Sequence, residues 1–172
     1  MHEERTANLL GAAALAVSDL MLAGATRAAG VSASAAGALV TLSATPGSSV
    51  TELGRRVGLS QSAAARMVDS LQANGLVVRK PGAGREVVVR LTAAGRRAAG
   101  ALLAARGAAL ADLIGELDRT ERDALNGLLS KLLARLYQET GNAELLCRLC
   151  DRPSCTTGTV CPVGQAERDR GP

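Results

Sequence analysis

The chain has 172 residues, enough for one domain with a small appendage, and 47% of them are apolar. It contains no Phe or Trp and a single Tyr, so its core has to be built mainly from Leu, Val and Ala. Two acidic residues near the start exclude the basic beginning of a signal peptide, and no uncharged apolar run approaches the roughly 18 residues of a membrane span. We therefore expect a cytoplasmic protein without a membrane segment.

Charge is distributed unevenly along the sequence. The net charge is +4, but nine Lys and Arg and only three Asp and Glu lie between residues 50 and 97, so the remaining residues are acidic overall. A basic segment in an acidic frame is expected of a surface that faces nucleic-acid phosphates. An ordinary solvated surface gives the same count, so the order of the elements has to distinguish the two.

The N-terminal part is predicted to be helical. From Arg5 to Ala29, apolar residues recur every three or four positions, which predicts one long amphipathic helix that Gly30 ends. A second helix is expected to begin at a serine cap, Ser32 or Ser34, and to end before the turn at Pro46.

Residues 51–91 have the order of two short helices followed by a hairpin. The first helix ends at Gly58, and the second is capped by Ser60 and ends at Asn74-Gly75, where glycine supplies left-handed geometry. Two β-like runs, 76–79 and 86–91, are joined by a loop with Pro and Gly, which predicts a hairpin. The expected shared core of the helix pair is Leu53, Val57, Leu59, Met67, Val68 and Leu71.

Two further helices are predicted after the hairpin. Thr92 is the expected cap of a long helix, and Asp118 or Thr120 that of another over residues 121–139. The pair Thr120 and Asp123 resembles a capping box. Beyond residue 140 the composition changes to a polar stretch that holds every cysteine of the chain. We call residues 141–172 the cysteine segment.

The order of these elements, and the stretches VTELGRRVGLSQSAAARMVDSLQANGLVVRK, REVVVRLTAAGRR and LDRTERDALNGLL, resemble the MarR (multiple antibiotic resistance regulator) family. The resemblance covers residues 5–140. It implies a mainly α fold with a small β-hairpin wing: a winged helix-turn-helix on a helical dimerisation frame, acting as a homodimer. The implied division is 1–45 for N-terminal dimerisation helices, 46–92 for the DNA-binding lobe and 93–140 for C-terminal dimerisation helices. Residues 141–172 lie outside the resemblance, and we expect this cysteine-rich tail to bind metal.

A recognition helix reads double-stranded DNA because the major groove admits one helix, whose first residues then meet base edges. Gln61 suits adenine and Arg66 suits guanine or a phosphate, while Ala63 and Ala64 are small enough to let the backbone approach the bases. Candidate base contacts are Ser60, Gln61, Ser62, Ala63 and Arg66. Candidate phosphate contacts are Arg55, Arg56, Arg79, Lys80 and, on the wing, Arg85. Ala83 replaces the Asp that the family usually pairs with the wing arginine, so we expect a more mobile wing tip.

The four cysteines, Cys147, Cys150, Cys155 and Cys161, lie within fifteen residues. Structural disulfides are disfavoured in a cytoplasm, so this clustering favours a metal. Four thiolates without histidine suit an iron–sulfur cluster or tetrahedral zinc. The tight array and Cys161-Pro162 favour a [2Fe-2S] cluster, whereas the first three spacings resemble a zinc knuckle. A disulfide switch or free thiols is the third alternative.

These observations predict a DNA-binding regulator that represses transcription from a pseudo-palindromic operator and senses redox state or metal through the cysteines. One alternative is a regulator that binds a small organic effector, with the cysteines a structural zinc clip. Another is a protein-interaction module that no longer contacts DNA. An enzyme is not expected, because the only histidine is His2 and no catalytic motif is present.

Overall fold

The computed structural model describes residues 2–84 and 86–171. The described residues form helices with one two-stranded antiparallel sheet, which confirms the predicted fold class. The elements are α1 His2–Ala29, α2 Ala33–Ala44, α3 Val50–Val57, α4 Gln61–Ala73, β1 Val77–Pro81, β2 Val87–Leu91, α5 Ala93–Gly115, α6 Arg119–Thr140, α7 Ala143–Leu146, α8 Arg152–Thr156 and α9 Pro162–Asp169.

Side-chain caps fix where the helices around the DNA-binding lobe begin. The Ser49 hydroxyl accepts a hydrogen bond from the Glu52 N–H at 3.2 Å, and the Ser60 hydroxyl accepts one from the Ala63 N–H at 3.4 Å. Such caps satisfy N–H groups that no helical carbonyl can reach. The caps in this part of the chain are Ser32, Ser49, Ser60 and Thr92, and those at Ser32, Ser60 and Thr92 agree with the predictions above.

The start of α6 differs from the expected capping box. Asp118 accepts a hydrogen bond from the Glu121 N–H, and Glu121 accepts one from the Asp118 N–H, both at 2.9 Å. The predicted pair of Thr120 and Asp123 is therefore wrong. A capping residue has to precede the first helical residue, and α6 already begins at Arg119.

α3 and α4 cross at very short range. A Cβ atom added to Gly54 would lie 2.7 Å from the Cβ of Ala64, so only glycine lets the two backbones approach this closely. The predicted core of the pair is confirmed, since five of its side chains are buried and Leu59 packs against them. This close crossing holds α4 at a fixed angle to α3.

A backbone hydrogen bond attaches the hairpin to the residues just before α3. β1 and β2 pair in antiparallel register from Val77–Leu91 to Pro81–Val87, and the Val89 N–H donates to the Ser48 carbonyl at 2.8 Å. Ser48 immediately precedes the cap of α3, so the wing and the helix-turn-helix share a backbone contact. Arg85, the predicted wing contact, lies outside the described residues.

Thr92 and Gly95 join the base of the wing to α5. The Thr92 hydroxyl donates to the carbonyls of Gly75 and Leu76 at 2.7 and 3.2 Å and accepts from the Gly95 N–H at 3.0 Å. A Cβ atom added to Gly95 would lie 2.0 Å from the Leu76 oxygen, a distance that no side chain tolerates. The stretch LTAAG is therefore a structural joint.

α1 and α2 both pack against α5 and form the helical frame. Two stretches of the described chain, Glu3–Ala23 and Ala93–Gly115, are long and apolar enough to cross a membrane by length and composition. Asp19 and Arg106 interrupt them, so neither is an uncharged run. One chain buries none of the apolar window in the first stretch and 11% of that in the second.

The cysteine segment folds back over the chain. α9 packs against α6, where Val163 and Tyr137 are 2% and 5% exposed, and α7 packs against α3. Leu149 packs against the main core. The segment contacts α6, the helix that precedes it in the chain. It also reaches the helix-turn-helix directly.

Candidate nucleic-acid interface and cysteine cavity

The first turn of α4 presents polar side chains to solvent. Gln61, Ser62 and Arg66 are exposed, Ala63 is half-buried, and the exposed Ser60 caps the helix. These five candidate base contacts lie on one helix and its cap, and the four on the helix itself span less than two turns. The expected approach of Ala64 to DNA is wrong, because its side chain is fully buried against Gly54.

The candidate phosphate contacts fall into two groups. Lys80 on β1 is exposed. The Arg79 guanidinium instead donates to Asp69 at 2.7 Å and to Gln72 at 2.8 Å, so it ties the wing to the last turns of α4. Arg79 is thus engaged within the protein, with its side chain 30% exposed.

Arg55 and Arg56 are engaged in a network of ion pairs. Both bind the Glu52 carboxylate at 2.8 Å, and both bind Glu144 of the cysteine segment, at 2.5 Å from Arg55 and 3.0 Å from Arg56. The Arg56 side chain is only 14% exposed. Phosphate contact at Arg56 would require these internal pairs to break.

The network shifts the pKa of Glu52 and that of Arg55. Hydrogen bonds from Arg55 and then Arg56 lower the pKa of the Glu52 carboxyl from 4.5 to about 2. The hydrogen bond to Glu52 is the largest cause that raises the pKa of Arg55 above its ordinary value. Glu52 and Arg55 are therefore charged at neutral pH.

Further contacts fasten α7 to α3. The Asn142 side chain caps α7 by accepting from the Leu145 N–H at 2.9 Å, and its amide donates to the Arg55 carbonyl at 3.3 Å. Leu145 lies over the turn after α3, 3.0 Å from where a Cβ on Gly58 would be. Sequence reasoning missed Asn142, Glu144 and Leu145 because nothing local links a short polar stretch to a helix 89 residues earlier.

All four cysteines line one cavity of about 740 Å³, together with residues of α2, α3, α8 and α9. They are half-buried and unlinked by disulfides. The Cys161 sulfur accepts a hydrogen bond from the Gly164 N–H at 3.4 Å and so caps α9. The segment thus brings its thiols to one place beside α3.

Two of the thiols have a raised pKa. Burial, followed by the neighbouring thiols Cys161 and Cys155, raises the pKa of Cys147 to about 11. Burial, followed by Cys155, raises the pKa of Cys150 to about 12. No group of three or more His, Cys, Asp or Glu side chains in residues 2–84 and 86–171 is arranged to hold a metal ion.

Two arginines place positive charge near the thiols. Arg152 lowers the pKa of Cys147 and Arg106 lowers that of Cys150, in both cases against the larger effect of burial. The Nε atom of Arg106 is buried without a hydrogen-bond partner, the only such side-chain atom in the described part of the chain. An unsatisfied buried donor suits an acceptor such as a thiolate or sulfide.

An exposed recognition helix, a wing joined to it and a helical frame define a winged helix-turn-helix DNA-binding regulator. A MarR family model matches residues 29–86. A MarR-family transcriptional regulator from Silicibacter pomeroyi is 32% identical, with 69% of this chain and 84% of that chain covered and a TM-score of 0.54. The chain belongs to the MarR family of transcription regulators, which are not enzymes.

Other solved structures share the fold at lower identity. YusO from Bacillus subtilis is 23% identical, with 76% of this chain and 93% of that chain covered and a TM-score of 0.66. MepR, a regulator of the Staphylococcus aureus multidrug efflux pump MepA, is 16% identical over 76% and 97%, with a TM-score of 0.67. No curated protein matches the chain. The family model ends at residue 86 and leaves the cysteine segment outside it.

Proposed function

We propose that this MarR-family regulator is a cytoplasmic, homodimeric repressor that senses metal or redox state through Cys147, Cys150, Cys155 and Cys161. One observation carries the proposal: four half-buried thiols line a single cavity that also borders α3 of the DNA-binding lobe. A chemical change at the thiols therefore has a short route to the helix-turn-helix.

The homodimer is supported by apolar side chains that one chain leaves exposed. They lie on the frame helices α1, α5 and α6, and MarR-family regulators are typically dimeric. A single chain with this much exposed Leu is expected to associate. The residues are Leu9, Leu10, Leu15, Leu20, Leu113, Ile114, Leu128, Leu129, Leu132 and Leu136. Sedimentation equilibrium is expected to give twice the chain mass of 17.5 kDa.

Operator recognition is assigned to the first turns of α4. Gln61 and Arg66 are the proposed base readers, and Ser62 and the small Ala63 let the helix enter the groove. Lys80 and Arg85 are the proposed phosphate contacts of the wing. A two-fold dimer requires a pseudo-palindromic site with half-sites about one helical turn apart. Duplexes selected from a random library by the purified protein test this arrangement.

An iron–sulfur cluster is the favoured occupant of the cavity, with zinc as the alternative. The donor types suit either one: four thiols line one cavity, and Arg106 and Arg152 supply positive charge near thiolates that a bound centre would leave anionic. In the described structure the thiols are not arranged around one centre, so binding would have to draw them together. An iron–sulfur cluster would undergo reversible one-electron oxidation and reduction, whereas zinc would only hold the segment in a fixed structure.

The shared cavity also supports a second candidate, a thiol–disulfide switch. Peroxide would link the four thiols as two disulfides, for which Cys147–Cys161 and Cys150–Cys155 are the proposed pairs. Each bond forms with loss of two protons and two electrons to the oxidant.

Protein purified without oxygen distinguishes these candidates by its absorption spectrum and its iron, sulfide and zinc content. We expect a brown protein with charge-transfer bands in the visible spectrum. Cys150→Ser is expected to abolish these bands, and the matched control Thr159→Ala is expected to retain them. One zinc per chain, together with operator binding that oxidants do not change, would show that the cysteine segment is a structural zinc site. Metal-free protein whose peroxide-treated peptides show the two disulfides would establish the switch. If none of these holds, the sensing role is wrong.

A further inference from the structure

Glu144 forms ion pairs with two arginines of the DNA-binding lobe. It belongs to the cysteine segment, yet its carboxylate binds Arg55 at 2.5 Å and Arg56 at 3.0 Å. A carboxylate takes the same charge-assisted hydrogen bonds from a guanidinium that a phosphate takes. While these pairs persist, neither arginine is fully available to DNA.

The position of Glu144 is fixed by its short helix. Asn142 caps α7 and also donates to the Arg55 carbonyl, so a single side chain connects α7 to the end of α3. Leu145 covers Gly58 in the turn that leads to Ser60 and the recognition helix. Glu144 and Cys147 line the same cavity, so a change at the thiols acts on α7 at close range.

We propose that Glu144 is an internal competitor of DNA phosphate. With α7 docked, Glu144 and Glu52 together balance the charges of Arg55 and Arg56, which weakens DNA binding. Undocking of α7 leaves the two arginines with Glu52 alone, so that one net positive charge becomes available to phosphate. The inference rests on the proposed function only for the signal that undocks α7. The competition itself depends on the ion pairs alone.

The test is Glu144→Gln in the full-length, reduced and metal-depleted protein, measured on a mixed-sequence DNA duplex at several salt concentrations. Non-specific binding suits the test because the neutralisation of phosphates supplies nearly all of it. Each additional phosphate that a released arginine neutralises is expected to steepen the slope of log K against log salt by about 0.9 and to tighten binding about five-fold at physiological salt.

Two controls separate competition from net charge. Glu167→Gln makes the same charge change on an exposed residue that lines the same cavity but pairs with neither arginine in the described structure. The second control repeats Glu144→Gln in an Arg55→Gln, Arg56→Gln background, where the increase in affinity is expected to vanish. Equal increases from Glu144→Gln and Glu167→Gln, or an increase that survives in that background, would overturn the proposal.

A second variant tests docking without changing charge. Leu145→Ala removes the side chain that covers Gly58 and is expected to steepen the salt slope in the same direction as Glu144→Gln. An unchanged slope in both variants, with helical content retained by circular dichroism, would overturn the proposal. Metal, sulfide and disulfide analysis of the same samples reports separately on the sensing role, so either idea can fail alone.

Discussion

The crossing of α3 and α4 gives a prediction whose size can be worked out from the structure. In Gly54→Ala the new methyl carbon would begin 2.7 Å from the Ala64 Cβ and 3.3 Å from the backbone oxygen of Leu59. Neither neighbour can rotate away, because one is a Cβ atom and the other is backbone. Restoring an ordinary contact near 3.4 Å requires the two helices to separate by about 0.7 Å.

Two opposing energies decide the outcome. Alanine in place of glycine inside a helix is favourable by about 1 kcal/mol, whereas overpacking a close contact costs about 1–3 kcal/mol. We expect overpacking to exceed the propensity gain, so that Gly54→Ala lowers the free energy of unfolding by up to about 2 kcal/mol. The shifted α4 is also expected to weaken operator binding.

Urea denaturation followed by circular dichroism, at one fixed protein concentration, measures the change. The double variant Gly54→Ala, Ala64→Gly moves the methyl group from α4 to α3 and is expected to recover stability to within about 1 kcal/mol of wild type. Gly100→Ala on α5, where the new methyl meets nothing, is the matched control and is expected to be neutral or stabilising. Gly54→Ala that is as stable as Gly100→Ala, with undiminished operator affinity, would refute the reasoning.

Three other predictions concern the wing joint, acid stability and base reading. Gly95→Ala is expected to destabilise by more than Gly54→Ala, because its methyl would meet the Leu76 oxygen at 2.0 Å; equal urea midpoints would contradict this. The pKa of Glu52 is lowered to about 2 from 4.5, so its stabilising effect is complete above pH 4.5 and is lost as the pH falls toward 2; Glu52→Gln should flatten that part of the stability–pH curve. Arg66→Ala should weaken binding to the selected operator by about 1–3 kcal/mol, and unchanged affinity would remove it from the base readers.

The sequence alone determined the elements whose signals are local. Caps such as Ser49 and Ser60 act on N–H groups two or three residues away, so they can be recognised without knowing how the chain folds. The periodic apolar residues of α3 and α4 likewise predicted a core that the structure confirms. The family followed from the order of these elements.

Local patterns did not reveal which of two neighbouring small residues faces the partner helix. Ala63 and Ala64 are equivalent by size, and only the crossing angle of α3 and α4 turns Ala64 inward against Gly54. The leucines of α6 also have helical spacing, but Leu128, Leu129, Leu132 and Leu136 remain exposed in one chain. A periodic pattern shows which face of a helix is apolar, but it does not show what that face packs against.

Only the tertiary structure decided what the charged residues and the cysteines do together. Nothing in the sequence around Arg55 and Arg56 shows whether they bind a phosphate or a carboxylate. Their partner Glu144 is 89 residues away from Arg55. A pairing over that distance depends on how α7 folds back onto α3, which no local rule encodes. The cysteine spacing predicted a shared site, but its placement beside the helix-turn-helix results from packing of α7 on α3 and α9 on α6.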